Sequence, residues 1–462
     1  MNNYFNFKKF NNEYLITNDL GRYIFLSNDD FKDFVCCRTN LSSDVGKLLV
    51  DNLFAYQTSS DSFTDNAIFH YRNAKDYLFS STGLHVFVVT DSCNMSCRYC
   101  QAQNEYSKTT RLMTTEVAKK ASDIALSSPQ KDITIEFQGG EPLLNFEIIK
   151  YSVLYIEKNK KDKNVDFSIV TNLTLLTDEI ADFIKEHHIN ISTSIDGPEQ
   201  LHNYNRPCIN GTGSFENILQ SLSKLKDADI SAGAIQTTTK RSFQYTKEII
   251  NTYVSLGFNN IFIRPLSPLG YAKQNWSSIG YTAKEFVDFY ENCFDYIISL
   301  NLNGTYIREN HAALFLNKIL TGVSPNYMEL RSPCGASVGQ LAYYYDGGIF
   351  TCDEGRMMYE MGSSAFKLGD VFKSNYDDLM NSSICKRVCS SSVLESLPKC
   401  CDCVYQPYCG VCPVVNYAMN QDLIFRNWHN YRCEIYSGML DKLFEVLQKN
   451  DKNQIEILRK WL

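Results

Sequence analysis

The stretch from His85 to about residue 300 alternates between strand-like and helix-like patterns, and this alternation restricts the fold more than any other feature of the sequence. Short β-branched and aromatic runs are typical of strands, and the amphipathic runs between them are typical of helices. The predicted strands cover residues 85–90, 133–138, 165–171, 189–195, 230–238 and 260–265. Six such repeats imply an α/β fold with parallel strands and right-handed crossovers, in which chemistry gathers on the loops that leave the strand C-termini.

The loop after the first predicted strand carries three cysteines, Cys93, Cys97 and Cys100. Three thiolates on one tight loop can hold three corners of a cubane iron–sulfur cluster and leave the fourth iron without a protein ligand. An iron that is open in this way is available to bind and reduce a ligand. The alternative is a set of ordinary thiols, or part of a zinc site that takes a ligand from elsewhere in the chain.

The loop after the second strand adds a glycine-rich turn. Its sequence is Gly139-Gly140-Glu141-Pro142. Glycines let the backbone approach a ligand closely, and the neighbouring carboxylate could receive an ammonium group. The CxxxCxxC spacing followed by GGEP resembles the radical S-adenosylmethionine (SAM) enzymes. The resemblance implies that the open iron of a [4Fe-4S] cluster chelates the amino and carboxyl groups of SAM, and that an electron from the cluster breaks a C–S bond.

The same resemblance implies roles for residues near the ends of the later strands. Groups that would face the SAM ribose come from the third and fourth loops: Thr171, Asn172, Ser194 and Asp196. Arg206 fits a guanidinium that pairs with the SAM carboxylate in a bidentate fork, and Tyr99 is expected to pack on the adenine or the cluster. Arg264 would face the substrate or SAM, or form a structural ion pair. For each polar residue the alternative is a role in a turn or a helix cap.

Composition limits the class of protein further. The 462 residues exceed one typical core, so two or three domains are expected. The net charge of −7 argues against a nucleic-acid partner. No run approaches the length of a membrane span and the polar start is not a signal peptide, so we expect a cytoplasmic enzyme without a membrane partner. Seventeen cysteines in such a chain favour metal binding over disulfides.

A second group of cysteines lies between residues 334 and 433. Cys334 precedes, and Cys352 ends, a predicted hairpin with Asp346-Gly347 at its turn. With the cysteine pairs that follow, this region resembles the SPASM domain of radical SAM peptide modifiers, which carries two auxiliary iron–sulfur clusters. Carried over to this chain, the ligands of the first auxiliary cluster would be Cys334, Cys352 and Cys412. The ligands of the second would be Cys400, Cys403, Cys409 and Cys433.

Two features of this region depart from the usual SPASM pattern. The cysteine run ends in CxxC where CxxxC is usual, and the first auxiliary cluster has only three obvious ligands. The fourth position is either open to a substrate group or filled by one of Cys385, Cys389, Cys401, Cys36 and Cys37. One or two structural zinc sites are the alternative for this region, because CxxC pairs also suit zinc.

The N-terminal segment is predicted to form three short strands followed by helices, one after Ser27 and another near Ser43. This pattern resembles the winged-helix modules with which radical SAM peptide maturases hold a leader peptide by strand addition, and a capping domain without a ligand is the alternative. The predicted divisions are 1–75 for this module, 80–300 for a partial (β/α)6 barrel, 301–333 for bridging helices, 334–433 for the SPASM domain and 434–462 for an amphipathic surface helix.

The whole set resembles the radical SAM/SPASM peptide (RiPP) maturases, and the runs at 137–146 and 264–268 are similar to the His-Xaa-Ser-system maturases. The resemblance implies that a 5′-deoxyadenosyl radical abstracts hydrogen from a ribosomal precursor peptide with a leader. A thioether (C–S), C–C or C–O side-chain crosslink would follow, and an auxiliary cluster would take the surplus electron. A flavodoxin or ferredoxin would act as electron donor.

Two other functions are compatible with parts of this pattern. An anaerobic sulfatase maturase, which oxidises Cys or Ser to formylglycine, needs a base near the substrate. Asp353 could be that base, or it could accept a hydrogen bond beside the cluster. A non-catalytic scaffold that binds a peptide through residues 1–75 would use its metals structurally, but it would need neither CxxxCxxC nor GGEP.

Overall fold

The computed structural model describes residues 1–56, 60–102, 111–424 and 430–462. The strands are β1 (Asn6–Phe10), β2 (Glu13–Thr17), β3 (Tyr23–Leu26), β4 (Leu84–Thr90), β5 (Asp132–Gly139), β6 (Asn164–Val170), β7 (Asn190–Ser194), β8 (Ala232–Thr237), β9 (Asn260–Arg264), β10 (Arg308–Glu309), β11 (Gln340–Tyr344), β12 (Gly348–Phe350) and β13 (Lys367–Asp370).

The helices follow in the same order along the chain. They are α1 (Asn28–Val35), α2 (Asp44–Asp51), α3 (Ser60–Ala74), α4 (Thr115–Ser127), α5 (Phe146–Asn159), α6 (Asp178–Glu186), α7 (Glu199–Asn205), α8 (Phe215–Asp227), α9 (Thr246–Ser255), α10 (Gly270–Gln274), α11 (Trp276–Ile279), α12 (Ala283–Leu302), α13 (Asn310–Leu316), α14 (Asp353–Glu360), α15 (Tyr376–Asn381), α16 (Ser383–Ser390), α17 (Pro413–Asn420), α18 (Tyr431–Lys449) and α19 (Lys452–Lys460). Within the described ranges, no helix is both long enough and apolar enough to cross a membrane.

The N-terminal strands form an antiparallel sheet in the order β1-β2-β3, followed by helices as the sequence indicates. Ser27 caps α1 by accepting the Asp30 backbone N–H, and Ser43 caps α2 in the same way. One face of this sheet packs on α1 and α2. The other face packs on the C-terminal part of the chain, where the rings of Tyr23 and Phe25 contact Phe444 of α18. The N-terminal sheet is therefore covered on both faces.

The central sheet has ten strands in the order β10-β9-β8-β7-β6-β5-β4-β11-β12-β13. Strands β4 to β9 are parallel and coincide with the six predicted strands. Alternation along β5 separates the two sides of the sheet. Ile133, Ile135 and Phe137 are buried in the layer shared with the outer helices, while Glu136 and Gln138 line the interior cavity. The cavity is thus built from the inner faces of the strands.

The hairpin that carries Cys352 continues this sheet. Strand β11 pairs in parallel with β4, with Leu341 opposite His85, and β12 and β13 extend the sheet by antiparallel pairing. The sequence placed a domain boundary at residue 334, but the sheet runs across it. Sequence periodicity identifies a hairpin without identifying the neighbour that its outer edge pairs with.

The predicted single surface helix over residues 434–462 is wrong. Two helices, α18 and α19, occupy this segment, because Asn450 adopts a left-handed conformation (φ 51°) and Asp451 caps the next helix. Helix α18 is also buried: Met439, Leu440 and Phe444 are fully covered between the N-terminal sheet and α12. Its apolar residues fill a shared core, so α18 joins the N-terminal sheet to the barrel.

Replacement of Phe444 tests this packing of α18 between the N-terminal sheet and the barrel. Phe444→Ala should destabilise the chain by about 3–5 kcal/mol, because it removes a fully buried ring that contacts Tyr23, Phe25 and Tyr405. Chemical unfolding followed by circular dichroism measures the loss. Phe372→Ala is the control, because Phe372 is exposed and its loss should shift stability by less than about 0.5 kcal/mol. Equal stability of both variants would contradict this packing.

Candidate active site

The loop that carries Cys93, Cys97 and Cys100 leaves the C-terminal end of β4 and is held by backbone hydrogen bonds on two sides. On one side the Glu141 N–H donates to the Ser92 carbonyl at 2.8 Å. On the other, the Ser96 N–H donates to the Pro207 carbonyl at 2.8 Å. The main chain therefore fixes the loop before any ligand is bound.

The two glycines of the GGEP turn are required by this close packing. A Cβ atom on Gly139 would lie 2.3 Å from the Thr90 carbonyl oxygen, and one on Gly140 would lie 2.2 Å from the Ser92 carbonyl oxygen. Both glycines also line the cavity. The sequence predicts that these glycines let the backbone approach a ligand closely. The structure shows that they also let the turn approach the cysteine loop closely.

The three thiols of the loop line one cavity. Burial raises the pKa of Cys97 to about 12, and burial with the charges of Cys97 and Cys100 raises the pKa of Cys93. Thiols with such pKa values stay protonated in water at neutral pH. Metal binding here would therefore displace protons, as is usual for cysteine ligands.

Asp196 organises the cavity wall beside these thiols. Its Oδ2 accepts hydrogen bonds from the Tyr99 hydroxyl at 2.6 Å and from Asn205 Nδ2 at 3.0 Å, and its Oδ1 lies 3.2 Å from Arg206 Nε. The Arg206 guanidinium stacks 5.0 Å from the centre of the Tyr99 ring and faces the cavity. Asp196 is fully buried, and its carboxylate holds Tyr99, Asn205 and Arg206 in place.

Glu141 also turns away from the ligand space. One carboxylate oxygen accepts from Leu143 N–H at 3.0 Å and from the Thr171 hydroxyl at 2.6 Å, and the other accepts from Asn172 N–H at 2.8 Å. Burial raises the pKa of Glu141 to about 7 although these hydrogen bonds lower it. The carboxylate joins the loops after β5 and β6, and Pro142 beside it is buried. An ammonium-binding role for the Glu141 side chain does not fit this geometry.

The cavity itself has a volume of about 650 Å³. It brings together most of the residues that the sequence singled out: Cys93, Cys97, Tyr99, Cys100, Gly139, Gly140, Thr171, Asn172, Ser194, Arg206, Arg264 and Asp353. It also includes residues that the sequence reasoning missed: Glu136, Gln138, Tyr327, Glu329, Glu354 and Met357. Polar residues at alternate positions of β5, between buried apolar ones, are the signal that could have identified Glu136 and Gln138.

Arg264 and Asp353, the two predicted catalytic residues, both have ion-pair partners. Arg264 donates to Glu329 Oε1 at 3.0 Å, and Arg432 binds the other oxygen of Glu329. Asp353 accepts two hydrogen bonds from the buried Arg356, at 3.1 and 2.5 Å. A substrate proton that moved to this oxygen of Asp353 would have to displace the hydrogen bonds from Arg356.

The remaining cysteines of interest fall into two groups. Cys334, Cys352 and Cys412 are buried in one cluster, and burial raises the pKa of each thiol. In the second group, burial raises the pKa of Cys400, Cys403 and Cys409, and the nearby charge of Cys433 adds to the effect on all three. These are the two sets that the SPASM resemblance proposes as ligands.

The candidates for a fourth ligand of the first group lie at different distances from it. Cys36 and Cys37 are exposed at the end of α1, and Cys401 adjoins the second group. Cys389 on α16 shares a hydrogen bond with Cys385, and the charge of Cys334 contributes to raising the pKa of Cys389. Cys389 is therefore the candidate on which the charge of a first-group cysteine acts.

The donor sets consist of cysteine thiols, which as thiolates are the usual ligands of iron–sulfur clusters and also suit zinc. Among the described residues, no three His, Cys, Asp or Glu side chains converge on a point that could hold one metal ion.

Residues 87–240 match the family model of the radical SAM superfamily. The chain carries a radical SAM domain. Members of this superfamily use SAM and a [4Fe-4S] cluster, so the chain is a radical SAM enzyme and the non-catalytic scaffold is set aside. The matched range contains the cysteine loop, the GGEP turn and the network around Asp196.

Several relatives cover different shares of the chain. A cysteine-type anaerobic sulfatase-maturating enzyme of Clostridium novyi is 24% identical over 76% of this chain and 92% of its own length. The radical SAM cyclopropyl synthase TigE of Paramaledivibacter caminithermalis is 25% identical over 78% of this chain and 73% of its own. An uncharacterized protein of Methanocaldococcus jannaschii is 36% identical over 40% of this chain, which spans only 62% of that relative.

Solved structures share the fold. Native anSMEcpe with bound AdoMet and Cp18Cys peptide aligns with a TM-score of 0.69 at 19% identity, over 82% of this chain and 99% of that one. Streptococcus suis SuiB bound to the precursor peptide SuiA aligns with a TM-score of 0.56 at 14% identity, over 92% of this chain and 98% of that one. The second alignment extends over more of this chain than the first.

Substitution of Gly140 tests the packing of the cysteine loop. The added methyl group of Gly140→Ala meets backbone atoms of Ser92 and Asp91, so the loop must shift. A shift of about 1 Å at a reacting centre costs about 10²-fold in rate, and we expect a loss of that order in the cleavage of SAM to 5′-deoxyadenosine. Gly83→Ala is the control, since its Cβ would make only ordinary contacts at 3.5 Å. Unchanged cleavage by Gly140→Ala would show that the loop tolerates the shift.

Proposed function

We propose that this radical SAM enzyme is a peptide maturase that abstracts a hydrogen from a ribosomally made precursor peptide and installs a side-chain crosslink, C–S, C–C or C–O. The observation that carries the proposal is the shared cavity. Its walls come both from the cysteine loop after β4 and from α14, which directly follows Cys352. A peptide held there lies between the barrel mouth and the cysteine-rich region. The relatives that are named for action on proteins or peptides support this assignment.

Cys93, Cys97 and Cys100 would hold the [4Fe-4S] cluster, which with SAM bound supplies the 5′-deoxyadenosyl radical. The chain's own residues position SAM. Arg206 faces the cavity with its guanidinium and receives the SAM carboxylate, while Asp196 fixes the ring of Tyr99 next to it. The polar groups from the neighbouring loops that line the same space are Thr171, Asn172 and Ser194.

The two further cysteine groups would hold auxiliary clusters that take the surplus electron. Their ligands would be Cys334, Cys352 and Cys412 for one, and Cys400, Cys403, Cys409 and Cys433 for the other. A flavodoxin or ferredoxin would supply the reducing electron. A leader peptide would add as a strand to an edge of the N-terminal sheet, since helices cover one face and α18 covers the other.

A second candidate function is the oxidation of a Cys or Ser side chain to formylglycine. The anaerobic sulfatase-maturating relatives favour it, and Asp353 lines the cavity where a base would be needed. The hydrogen bonds from Arg356 weigh against Asp353 as a proton acceptor, because they occupy one oxygen of its carboxylate. A sulfatase gene beside this one would favour formylglycine, and a short precursor-peptide gene would favour crosslinking.

Mass spectrometry of the small peptide encoded beside this gene separates these functions. The peptide is co-expressed with and without the enzyme under anaerobic conditions. We expect a loss of two hydrogens for each crosslink, with a fragmentation gap between the joined residues. Formylglycine instead requires a reactive aldehyde on a single Cys or Ser. No mass change on any neighbouring peptide would count against crosslinking.

Removal of one loop thiol tests the first chemical step. Cys97→Ala, reconstituted with iron and sulfide, should form no 5′-deoxyadenosine from SAM above background, because two thiols cannot hold the cluster in the geometry that three provide. Cys208→Ala is the matched control, as Cys208 lies outside all three thiol groups, and it should keep full activity. Continued cleavage of SAM by Cys97→Ala would overturn the proposed cluster site.

A further inference from the structure

Glu136 lies on the inner face of β5, below the GGEP turn and inside the cavity. Its Oε1 accepts a hydrogen bond from Gln138 Nε2 at 2.5 Å, and its Oε2 accepts one from the Ser168 hydroxyl at 3.3 Å. Ser168 is its direct neighbour on β6. Both donors are neutral, so the carboxylate is fixed in position while its charge has no ion-pair partner among the described residues.

Other charged side chains of the cavity wall are compensated by partners from the protein. Arg264 is paired with Glu329, Asp353 with Arg356, and Arg206 with Asp196. Glu354 has no such pair within the described ranges, but it lies two residues after Cys352 at the cysteine-rich end of the cavity.

Glu136 therefore differs from these paired groups. Burial raises the pKa of Glu136 and the charge of Asp353 adds to this, while the hydrogen bonds from Gln138 and Ser168 and the charge of Arg264 oppose it. A half-buried carboxylate that accepts hydrogen bonds only from neutral donors is costly to keep ionised, and an incoming cation would reduce that cost.

The cavity that Glu136 lines also has apolar side chains. Val86 is the direct neighbour of Glu136 on β4, and Leu84, Ile235 and Phe262 line the same cavity. An aliphatic stem with a cationic head matches this combination, because the methylenes of lysine or arginine pack on apolar walls while the head reaches an acceptor.

We propose that Glu136 binds the cationic side chain of a lysine or arginine of the substrate peptide, and so selects peptides with a basic residue close to the residue that reacts. The proposal rests on the proposed peptide function and adds the substrate class to it. Glu136 determines specificity by a charge-assisted hydrogen bond within the cavity.

Two peptide pools test the selection. Each pool consists of fluorescein-labelled heptapeptides with six randomised positions and either lysine or its uncharged isostere norleucine at the centre. Fluorescence anisotropy gives the affinity of each pool for the reconstituted enzyme in the presence of SAM. We expect the lysine pool to bind about tenfold more tightly or better, the effect of one hydrogen bond to a charged partner.

Substitutions then test whether Glu136 causes the preference for lysine. Glu136→Gln should remove the preference for lysine, and Glu136→Lys should reverse it in favour of a third pool with glutamate at the centre. Asp182→Asn removes one carboxylate from the exposed side of α6, outside the cavity, and should keep the preference. Circular dichroism of each variant checks that it is folded.

The outcomes separate the two proposals. Equal affinity of the wild-type enzyme for the lysine and norleucine pools overturns the selection by Glu136 and leaves the peptide function standing. A preference that survives in folded Glu136→Gln also overturns the role of Glu136. If the wild-type enzyme binds neither pool, both the peptide function and this inference are contradicted.

Discussion

The parallel pairing of β11 with β4 determines how the Cys93 loop and the hairpin that leads to Cys352 lie relative to each other. Cys93 follows the C-terminal end of β4, whereas Cys352 follows β12, which runs antiparallel to β11, so the two cysteines lie toward opposite ends of these strands. One cavity extends between them, since Cys93, Asp353 and Glu354 all line it. A two-stranded hairpin is marginal by itself in water, and here β11 is fully buried as part of a ten-stranded sheet. The distance between the cysteine loop after β4 and the cysteine-rich region is thus set by sheet geometry.

Electrostatics in this cavity follow from the cost of burying charge. Asp196 and Arg206 are compensated by each other, and Arg264 and Arg432 share Glu329, which keeps each group oriented without a ligand. Burial favours the protonated form of Glu329, but the two guanidinium groups outweigh this and lower its pKa. Pre-formed ion pairs of this kind hold side chains of the cavity wall in place, so that the binding energy of a ligand is not spent on ordering them.

Much of the barrel could be predicted from the sequence, because short β-branched and aromatic runs alternate with amphipathic helical runs from residue 85 to about residue 300. The cysteine loop and the GGEP turn could be placed on neighbouring strands for the same reason. The role of the Glu141 side chain could not, since only the fold shows that Thr171 and Asn172 occupy its oxygens. The pairing of β11 and the burial of α18 depend on distant segments, which local patterns do not encode. Glu136 was overlooked because one carboxylate in a strand resembles an exposed position until the inner face is identified.

We propose that three cysteine groups hold iron–sulfur clusters and that one of these clusters serves SAM. The most direct measurement is the content of iron, acid-labile sulfide and zinc in the anaerobically reconstituted chain. About 12 irons and 12 sulfides per chain are predicted if each group holds a cubane, with zinc near zero. About four irons per chain together with one or two zinc ions would contradict the auxiliary clusters. Zinc without iron would contradict all three clusters, including the one that serves SAM.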